Sequence, residues 1–171
     1  MLFRSLPTEK ERQEELKSLA RWENPEPGSF YDEVGHIGRS PHVVREFDIK
    51  SDPQMDRFPN PGYWWWDEGK SRKRLSWQTS MTWPTLKYSG LDTRAKYTVR
   101  MTGYGDAKPR FNGDTASSTV YGKGIGEFKE FPVRPELLKD GKLVITFDKL
   151  DEQHLNWRQQ SRVSEVWLLR H

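Results

Sequence analysis

The sequence predicts an all-β fold: an antiparallel jelly-roll β-sandwich of about eight short strands with one short N-terminal helix. The main observation is the nine-residue segment 75–83, in which mostly apolar residues alternate with polar ones. Residues 97–102 alternate in the same way. Because side chains of a strand alternate between two faces, each segment presents one apolar face to a core.

The chain should begin with a helix over residues 8–22. Thr8 and Glu11 form the pattern of a capping box, and a short apolar stripe follows them. A proline- and glycine-containing run then ends the helix. Residues 1–28 are therefore predicted to be a charged helix and linker, and residues 29–171 the β-sandwich.

The remaining strands give shorter signals. Pro132 lacks an N–H group, so the strand around it is expected at a sheet edge. The glycine-rich run 122–126 is expected to form a hairpin turn, because its spacing matches no phosphate-binding loop. Further strands are expected at residues 29–31, 42–47, 110–111, 128–133, 143–147 and 163–169.

Composition excludes several kinds of function. The 171-residue chain has no cysteine, which removes disulfides, thiol catalysis and thiolate metal sites. No apolar stretch approaches the roughly 18 residues of a membrane span, so no membrane partner is expected. The net charge of +3 is mild, and it neither requires nor excludes nucleic acid or an acidic polysaccharide.

The most informative side chains are the consecutive rings Tyr63, Trp64, Trp65 and Trp66. In an extended segment neighbouring side chains point to opposite faces, so at least one of these rings must leave the core. Prolines and a glycine precede the run, which is typical of a loop or a strand edge. An exposed ring there can stack on the C–H face of a sugar. The alternative is that the rings form an apolar plug at one end of the sandwich.

Basic residues follow the aromatic run. Arg72 and Arg74 belong to the basic segment 70–74, and Arg158 is a further candidate for hydrogen bonds to a glycan. Arginine can hold carboxylated or sulfated sugars through paired hydrogen bonds. Basic and aromatic residues together can also bind single-stranded nucleic acid, but no RNP-like strand or zinc knuckle accompanies them here. The structural alternative is a solvated hairpin tip.

Catalytic motifs are absent from the sequence. It has no nucleophile-elbow pattern, and its four histidines are scattered rather than spaced for zinc. Carboxylates that could hydrolyse a glycoside are abundant, but the distance between two of them decides that chemistry and the sequence does not give it. No catalytic residue is therefore assigned.

A structural calcium ion is a further expectation. Calcium collects carboxylates and backbone carbonyls from irregular segments. The predicted ligands are Glu165 in the last strand, with Asp32 or Asp48 from early loops. The alternative for Glu165 is a salt bridge to an arginine on a neighbouring strand.

Six segments, in chain order, carry a family resemblance: Phe30-Tyr31-Asp32-Glu33-Val34-Gly35, Pro41-His42-Val43-Val44, Ser76-Trp77-Gln78-Thr79-Ser80, Leu86-Lys87-Tyr88-Ser89-Gly90-Leu91-Asp92, Tyr97-Thr98-Val99-Arg100 and Ser164-Glu165-Val166-Trp167-Leu168. Together they resemble the galactose-binding-like β-sandwich modules appended to the C-terminal ends of bacterial polysaccharide-degrading enzymes. The resemblance covers roughly residues 29–171. It implies a jelly roll, often with a structural calcium ion that a last-strand glutamate, here Glu165, helps to hold. It also implies carbohydrate binding by loops at one end of the sandwich, without catalysis.

These observations predict a non-catalytic carbohydrate-binding module that targets an attached enzyme to a polysaccharide or oligosaccharide. Its partners would be that glycan, neutral or acidic, and a catalytic domain in the parent chain, while nucleic acid is not expected. The implied location is extracellular or periplasmic, within a larger secreted protein. Two alternatives are a sandwich that braces a catalytic domain without binding sugar, and a jelly-roll polysaccharide lyase or hydrolase.

Overall fold

A computed structural model describes residues 8–34, 37–44, 84–104, 108–123, 127–147 and 162–171 of the chain. The segment 75–83, which gave the longest predicted strand, lies outside the described residues. Within them the chain forms one α-helix and nine β-strands. Their bounds are α1 Glu9–Glu23, β1 Phe30–Glu33, β2 Leu86–Tyr88, β3 Tyr97–Tyr104, β4 Pro109–Phe111, β5 Asp114–Thr115, β6 Val120–Tyr121, β7 Lys129–Val133, β8 Leu143–Phe147 and β9 Arg162–Arg170.

The strands form two antiparallel sheets, which confirms the prediction of an all-β sandwich at this level. The order in the five-stranded sheet is β1-β9-β3-β7-β6, and in the four-stranded sheet it is β2-β8-β4-β5. The longest pairing joins β3 to β9, from Tyr97 opposite Arg170 to Tyr104 opposite Arg162, with a bulge after Thr102. This long non-local ladder places β9 inside the larger sheet, between β1 and β3.

The apolar core lies between the two sheets. Alternate residues of the larger sheet, such as Val99 and Phe131, meet alternate residues of the smaller sheet, such as Leu86, Phe111 and Ile145. All five of these side chains are at most 2% exposed. The alternation that predicts strands from sequence therefore also identifies the core-facing residues of β3, β7 and β8.

The helix is also confirmed, since α1 covers Glu9–Glu23 and begins as the sequence predicts. The Thr8 side chain accepts a hydrogen bond from the Glu11 N–H, and the Glu11 side chain accepts one from the Thr8 N–H. The apolar stripe is less buried than its pattern indicates, because Leu16 is 54% exposed. In the described part of the chain no helix is long and apolar enough to cross a bilayer.

Pro132 lies at the open side of an interior strand. β7 pairs with β3 on one side and with β6 on the other, so it is not an edge strand. However, β6 pairs only with Lys129 and Glu130, and β7 continues past it before reaching Pro132. The missing N–H therefore costs no hydrogen bond to β6.

The glycine-rich run begins where β6 turns back toward β7, with the Gly122 N–H bonded to the Phe128 carbonyl at 3.0 Å.

Most of the segments outside the described residues are attached at one end of the sandwich. β3 ends and β9 begins there, with Tyr104 opposite Arg162, and β8 ends beside the start of β4, with Phe147 opposite Pro109. The short connection from β3 to β4 places these two sets of strand ends at the same end. The segments that leave and return there are 45–83, 105–107, 124–126 and 148–161.

The two ends of segment 45–83 are held together. Residues 42–44 pair with residues 85–87 through an isolated bridge between Val43 and Leu86 and through backbone hydrogen bonds of 2.7 and 2.8 Å. The residues on either side of segment 45–83 are therefore joined by a short antiparallel pairing, along the edge of β2 that does not pair with β8.

A two-residue turn joins β4 to β5. Phe111 lies opposite Asp114, and the two residues between them have positive φ angles, 49° at Asn112 and 90° at Gly113. Asn-Gly is the sequence typical of this tight hairpin turn. The Asn112 side chain also accepts a hydrogen bond from the Val144 N–H at 2.8 Å, which ties the turn to β8.

Replacing Gly113 by Ala should destabilise the protein by about 1 kcal/mol, since an L-residue is strained at this φ. A Cβ atom at this position would have no other atom within 4 Å, so steric contact adds nothing. Urea denaturation of Gly113→Ala measures the loss. The matched control is Lys108→Ala, an exposed side chain close to the same hairpin, which should change the free energy of unfolding by less than about 0.5 kcal/mol. Equal stability of the two variants would contradict the turn.

Candidate functional site

Most of the residues proposed from sequence to bind a ligand lie outside the described residues. Tyr63, Trp64, Trp65, Trp66, Arg72 and Arg74 belong to segment 45–83, as does Asp48, and Arg158 belongs to segment 148–161. Both segments are attached at the same end of the sandwich. Two of the predicted metal ligands, Asp32 and Glu165, are described.

Asp32 and Glu165 project from opposite faces of the larger sheet. Asp32 pairs with Val166 across β1 and β9, whereas Glu165 pairs with Glu33, one residue further along each strand. Since neighbouring residues of a strand point to opposite faces, Asp32 lies between the sheets and Glu165 lies on the outer face. Both residues are 0% exposed. The structure therefore does not bring these two carboxylates together.

Asp32 is the centre of a polar cluster between the sheets. One carboxylate oxygen accepts the His42 backbone N–H at 3.0 Å, and the other is 2.9 Å from Nδ1 of the His42 ring. The Tyr88 hydroxyl donates to the carboxylate at 2.8 Å. The His42 ring is stacked on Tyr88, with centroids 4.4 Å apart, and it meets Phe30 edge-on at 5.1 Å. One carboxylate thus joins β1, segment 40–44 and β2.

Glu165 is the centre of a second cluster on the outer face. One oxygen accepts the Trp22 indole N–H and the Tyr31 hydroxyl, both at 2.7 Å. The other oxygen accepts the Thr102 hydroxyl at 3.2 Å. The Trp167 indole donates to the Trp22 carbonyl at 2.7 Å, and the two indoles pack edge to face at 5.1 Å. The last turn of α1 is therefore fixed to the sheet by two indole hydrogen bonds, from Trp22 to Glu165 and from Trp167 to the Trp22 carbonyl.

A third buried carboxylate, Glu33, lies beside this outer-face cluster. Glu33 is 5% exposed and lies 3.4 Å from the Arg39 guanidinium. Arg39 also forms an ion pair with Glu23 in the last turn of α1. The guanidinium thus neutralises acidic groups from both β1 and α1, and it adds a second link between the helix and the sheet.

The environment of the two clusters raises the pKa values of two tyrosine hydroxyls. Burial, followed by the charge of Glu165, raises the pKa of Tyr31 far above its ordinary value of 10.0. Burial, followed by the charge of Asp32, raises the pKa of Tyr88 in the same direction. In both cases ionisation would place a second negative charge against a buried carboxylate. Both hydroxyls therefore act as hydrogen-bond donors at neutral pH.

The positions of Asp32 and Glu165 limit how a calcium ion could be bound. Among the described residues, no group of three or more histidine, aspartate or glutamate side chains is placed to hold a metal ion. Asp32 and Glu165 face opposite sides of the sheet, and each accepts hydrogen bonds from three different groups. Asp48 lies outside the description. A calcium ion bound through one of them with other ligands stays a prediction.

Sequence reasoning missed the residues that complete both clusters. His42 and Tyr88 are 10 and 56 positions from Asp32, and Trp22 is 143 positions from Glu165. Only the residue types could have indicated these contacts. A buried carboxylate needs hydrogen-bond donors, and tryptophan, tyrosine and histidine supply them. Which donor meets which carboxylate depends on the pairing of β1 with β9.

Replacing Trp22 by Phe should destabilise the protein by about 2 kcal/mol, because a buried carboxylate loses one of its donors while most of the packing is kept. Urea denaturation and the melting temperature measure this, and the expected fall in melting temperature is about 4–8 °C. The matched control is Leu16→Ala on the same helix, where the side chain is exposed and the change should be below about 0.5 kcal/mol. Trp22→Phe as stable as the control would show that α1 is not anchored in this way.

The raised pKa values of Tyr31 and Tyr88 predict when these hydroxyls ionise at alkaline pH. A raised folded-state pKa gives a stabilisation that is complete below the ordinary value of 10.0 and is lost as pH rises through the folded-state pKa. In a titration followed at 295 nm, Tyr31 and Tyr88 should therefore ionise only when the protein unfolds. Tyr31→Phe and Tyr88→Phe should leave the native-state absorbance change unaltered and reduce only the unfolding step. A smaller native-state change in either variant would contradict the burial of that hydroxyl.

No protein-family model, no curated protein and no solved structure matches this chain. The likeness to galactose-binding-like modules therefore stays a prediction. The fold and the contacts of the described residues are the basis for a functional assignment.

Proposed function

We propose that this chain is a non-catalytic carbohydrate-binding module with a jelly-roll sandwich, part of a larger secreted protein that degrades glycans. The observation that carries the proposal is that segments 45–83 and 148–161 are attached at one end of the sandwich. Loops gathered at one end of a rigid β-scaffold are a common place for ligand binding. The rest of the scaffold then holds that end in place.

The residues carried by these segments fit a saccharide. The run Tyr63 to Trp66 offers flat rings that can stack on the apolar face of a sugar. Arg72, Arg74 and Arg158 can donate paired hydrogen bonds to hydroxyls or to the carboxylates of an acidic glycan. Attachment at a common end makes it possible for both kinds of group to contact the same ligand.

The described carboxylates favour binding over catalysis. Glycoside hydrolysis by the usual route needs two carboxyl groups about 5–10 Å apart that face one substrate. Asp32 and Glu165 face opposite sides of the sheet, and Glu33 is buried against Arg39. Asp32 and Glu165 accept internal hydrogen bonds, and Glu33 forms an ion pair with Arg39 at 3.4 Å, which supports a structural role for each. A calcium ion remains part of the proposal, with Glu165 and Asp48 as ligands, because Asp32 lies on the other face of the sheet from Glu165.

Calorimetry with oligosaccharides tests the proposal, using neutral cellohexaose and acidic tetragalacturonate as probes within a broader panel. The wild type should bind at least one probe with a dissociation constant on the order of micromolar to millimolar. At least one of Trp64→Ala, Trp65→Ala and Trp66→Ala should bind about fivefold more weakly, since a stacked ring contributes about 1 kcal/mol. If the ligand is acidic, added salt should weaken binding.

The matched control is Lys139→Ala, at the opposite end of the sandwich between β7 and β8, which should bind as the wild type does. Parallel titrations with calcium and with excess chelator show whether the ion contributes. Equal binding by all three tryptophan variants would remove the aromatic run from the site. Absence of binding across the panel would refute the carbohydrate function and favour a sandwich that braces a catalytic domain.

A further inference from the structure

We propose that the outer face of the smaller sheet binds a carboxylated polysaccharide through a group of basic side chains. We call this surface the basic face, and its cations are Lys87, Lys108, Arg110 and Lys142. The choice of a glycan rests on the proposed carbohydrate function. The surface itself is separate from the loops at the end of the sandwich, and all of its cations belong to described residues.

Strand register places these cations on one side of the sheet. In β2, β4 and β8 the core-facing residues are buried, and the residues between them are less so. Lys87 and Arg110 each lie opposite one of the outward-facing residues of β8. Lys108 and Lys142 precede β4 and β8 by one residue, continue the alternation and are exposed. All four cations therefore project away from the core.

Carboxylates do not neutralise this group of cations in the described structure. Among the described residues, none of the three lysines takes part in an ion pair. Asp114 of β5 forms an ion pair with Arg134, and it lies opposite the core-facing Phe111 rather than on the basic face. Asp140 accepts the Lys142 backbone N–H at 3.2 Å.

This concentration of charge is large for the chain. The net charge of the whole sequence is +3, so the four cations of the basic face leave no net positive charge for the remaining residues. Elsewhere in the described structure arginines are neutralised by acids, as Arg100 is by Glu130 and Arg170 by Asp92. Such an uneven distribution creates a local positive potential that attracts polyanions.

The spacing of the cations fits an extended polymer. Since β2 and β4 both pair with β8, their side chains lie about 10 Å apart across the sheet. Lys142 and Lys108 mark the two limits of the basic face along the strands, and the register separates these limits by roughly 20 Å. The Arg110 Nη1 donates to the Gly113 carbonyl at 3.0 Å, which holds the guanidinium beside the turn. A ligand that contacts all four cations must therefore carry repeated negative charges.

The neutral side chains of the basic face favour a carboxylated sugar chain over other polyanions. Thr115 and Thr146 both lie opposite Arg110, and their hydroxyl groups can donate and accept hydrogen bonds with sugar hydroxyls. A uronic-acid chain keeps its ring hydroxyls and adds carboxylates, whereas sulfation consumes hydroxyls. No aromatic residue projects from this face in the described strands, so it lacks the rings on which single-stranded nucleic acid stacks.

Two triple variants of equal net charge test the inference. The face variant exchanges the lysines of the basic face for glutamine: Lys87→Gln, Lys108→Gln and Lys142→Gln. The control variant makes the same exchange at exposed lysines of α1 and of the turn before β3: Lys10→Gln, Lys17→Gln and Lys96→Gln. Because all six side chains are exposed, both variants should melt within a few degrees of the wild type.

Calorimetry with octagalacturonate at low ionic strength measures the contribution of the basic face. The wild type and the control variant should bind alike, and the face variant should bind about tenfold more weakly, since each exposed charge contact contributes modestly. Added salt should weaken binding by the wild type and narrow the difference. Cellohexaose carries no charge and should bind the three proteins alike.

Amide NMR of the wild type locates the ligand without any substitution. Octagalacturonate should shift the signals of Lys87, Arg110 and Val144, whereas the signal of Thr98 on the outer face of the larger sheet should not move. This measurement also decides the matter if the face variant does not fold.

The outcomes distinguish the two proposals. Weaker binding by the face variant alone, together with shifts on β2, β4 and β8, supports the inference. Equal binding of octagalacturonate by both variants, or binding of cellohexaose only, refutes the basic face and leaves the carbohydrate function standing. Stronger face-dependent binding of dextran sulfate or of a thymidine dodecamer overturns the assignment to a carboxylated glycan. If the wild type binds no saccharide at all, both proposals fall.

Discussion

Two fully buried carboxylates on the paired strands β1 and β9 constrain much of this structure. Removing a charge from water costs several kcal/mol unless donors replace the lost hydration. Asp32 receives its donors from segment 40–44 and β2, and Glu165 receives them from α1, β1 and β3. Satisfying the two groups therefore requires the helix to pack on the outer face and the two edge strands β1 and β2 to be joined through His42. Loss of one donor therefore destabilises the contact between the elements that the carboxylate connects.

This arrangement separates the stabilising part of the molecule from the part proposed to bind. The buried acids Asp32, Glu33 and Glu165 are used for internal contacts, whereas the long segments are attached at one end of the sandwich. His42 belongs to the stabilising part, because its backbone N–H and its ring Nδ1 complete the Asp32 cluster.

Local patterns predicted several elements because their causes are local. The capping box at Thr8 and Glu11 marks the start of α1, and alternation marks β3 and β8. Very short strands such as β5 and β6 carry no usable periodicity and were not predicted. The Asn-Gly pair between β4 and β5 was a signal that could have located one of them, since few residues tolerate its positive φ angles.

The sequence by itself determined the all-β class, the position of the helix and the core-facing residues of β3, because these follow from periodicity and capping within short windows. Only the tertiary structure decided that Asp32 and Glu165 lie on opposite faces, that Trp22 and Tyr31 both serve Glu165, and that His42 is oriented by Asp32. Those relations depend on strand register and on contacts between residues far apart in the chain. A shift of register by one residue would exchange the two faces, and no local pattern around Asp32 or Glu165 specifies the register.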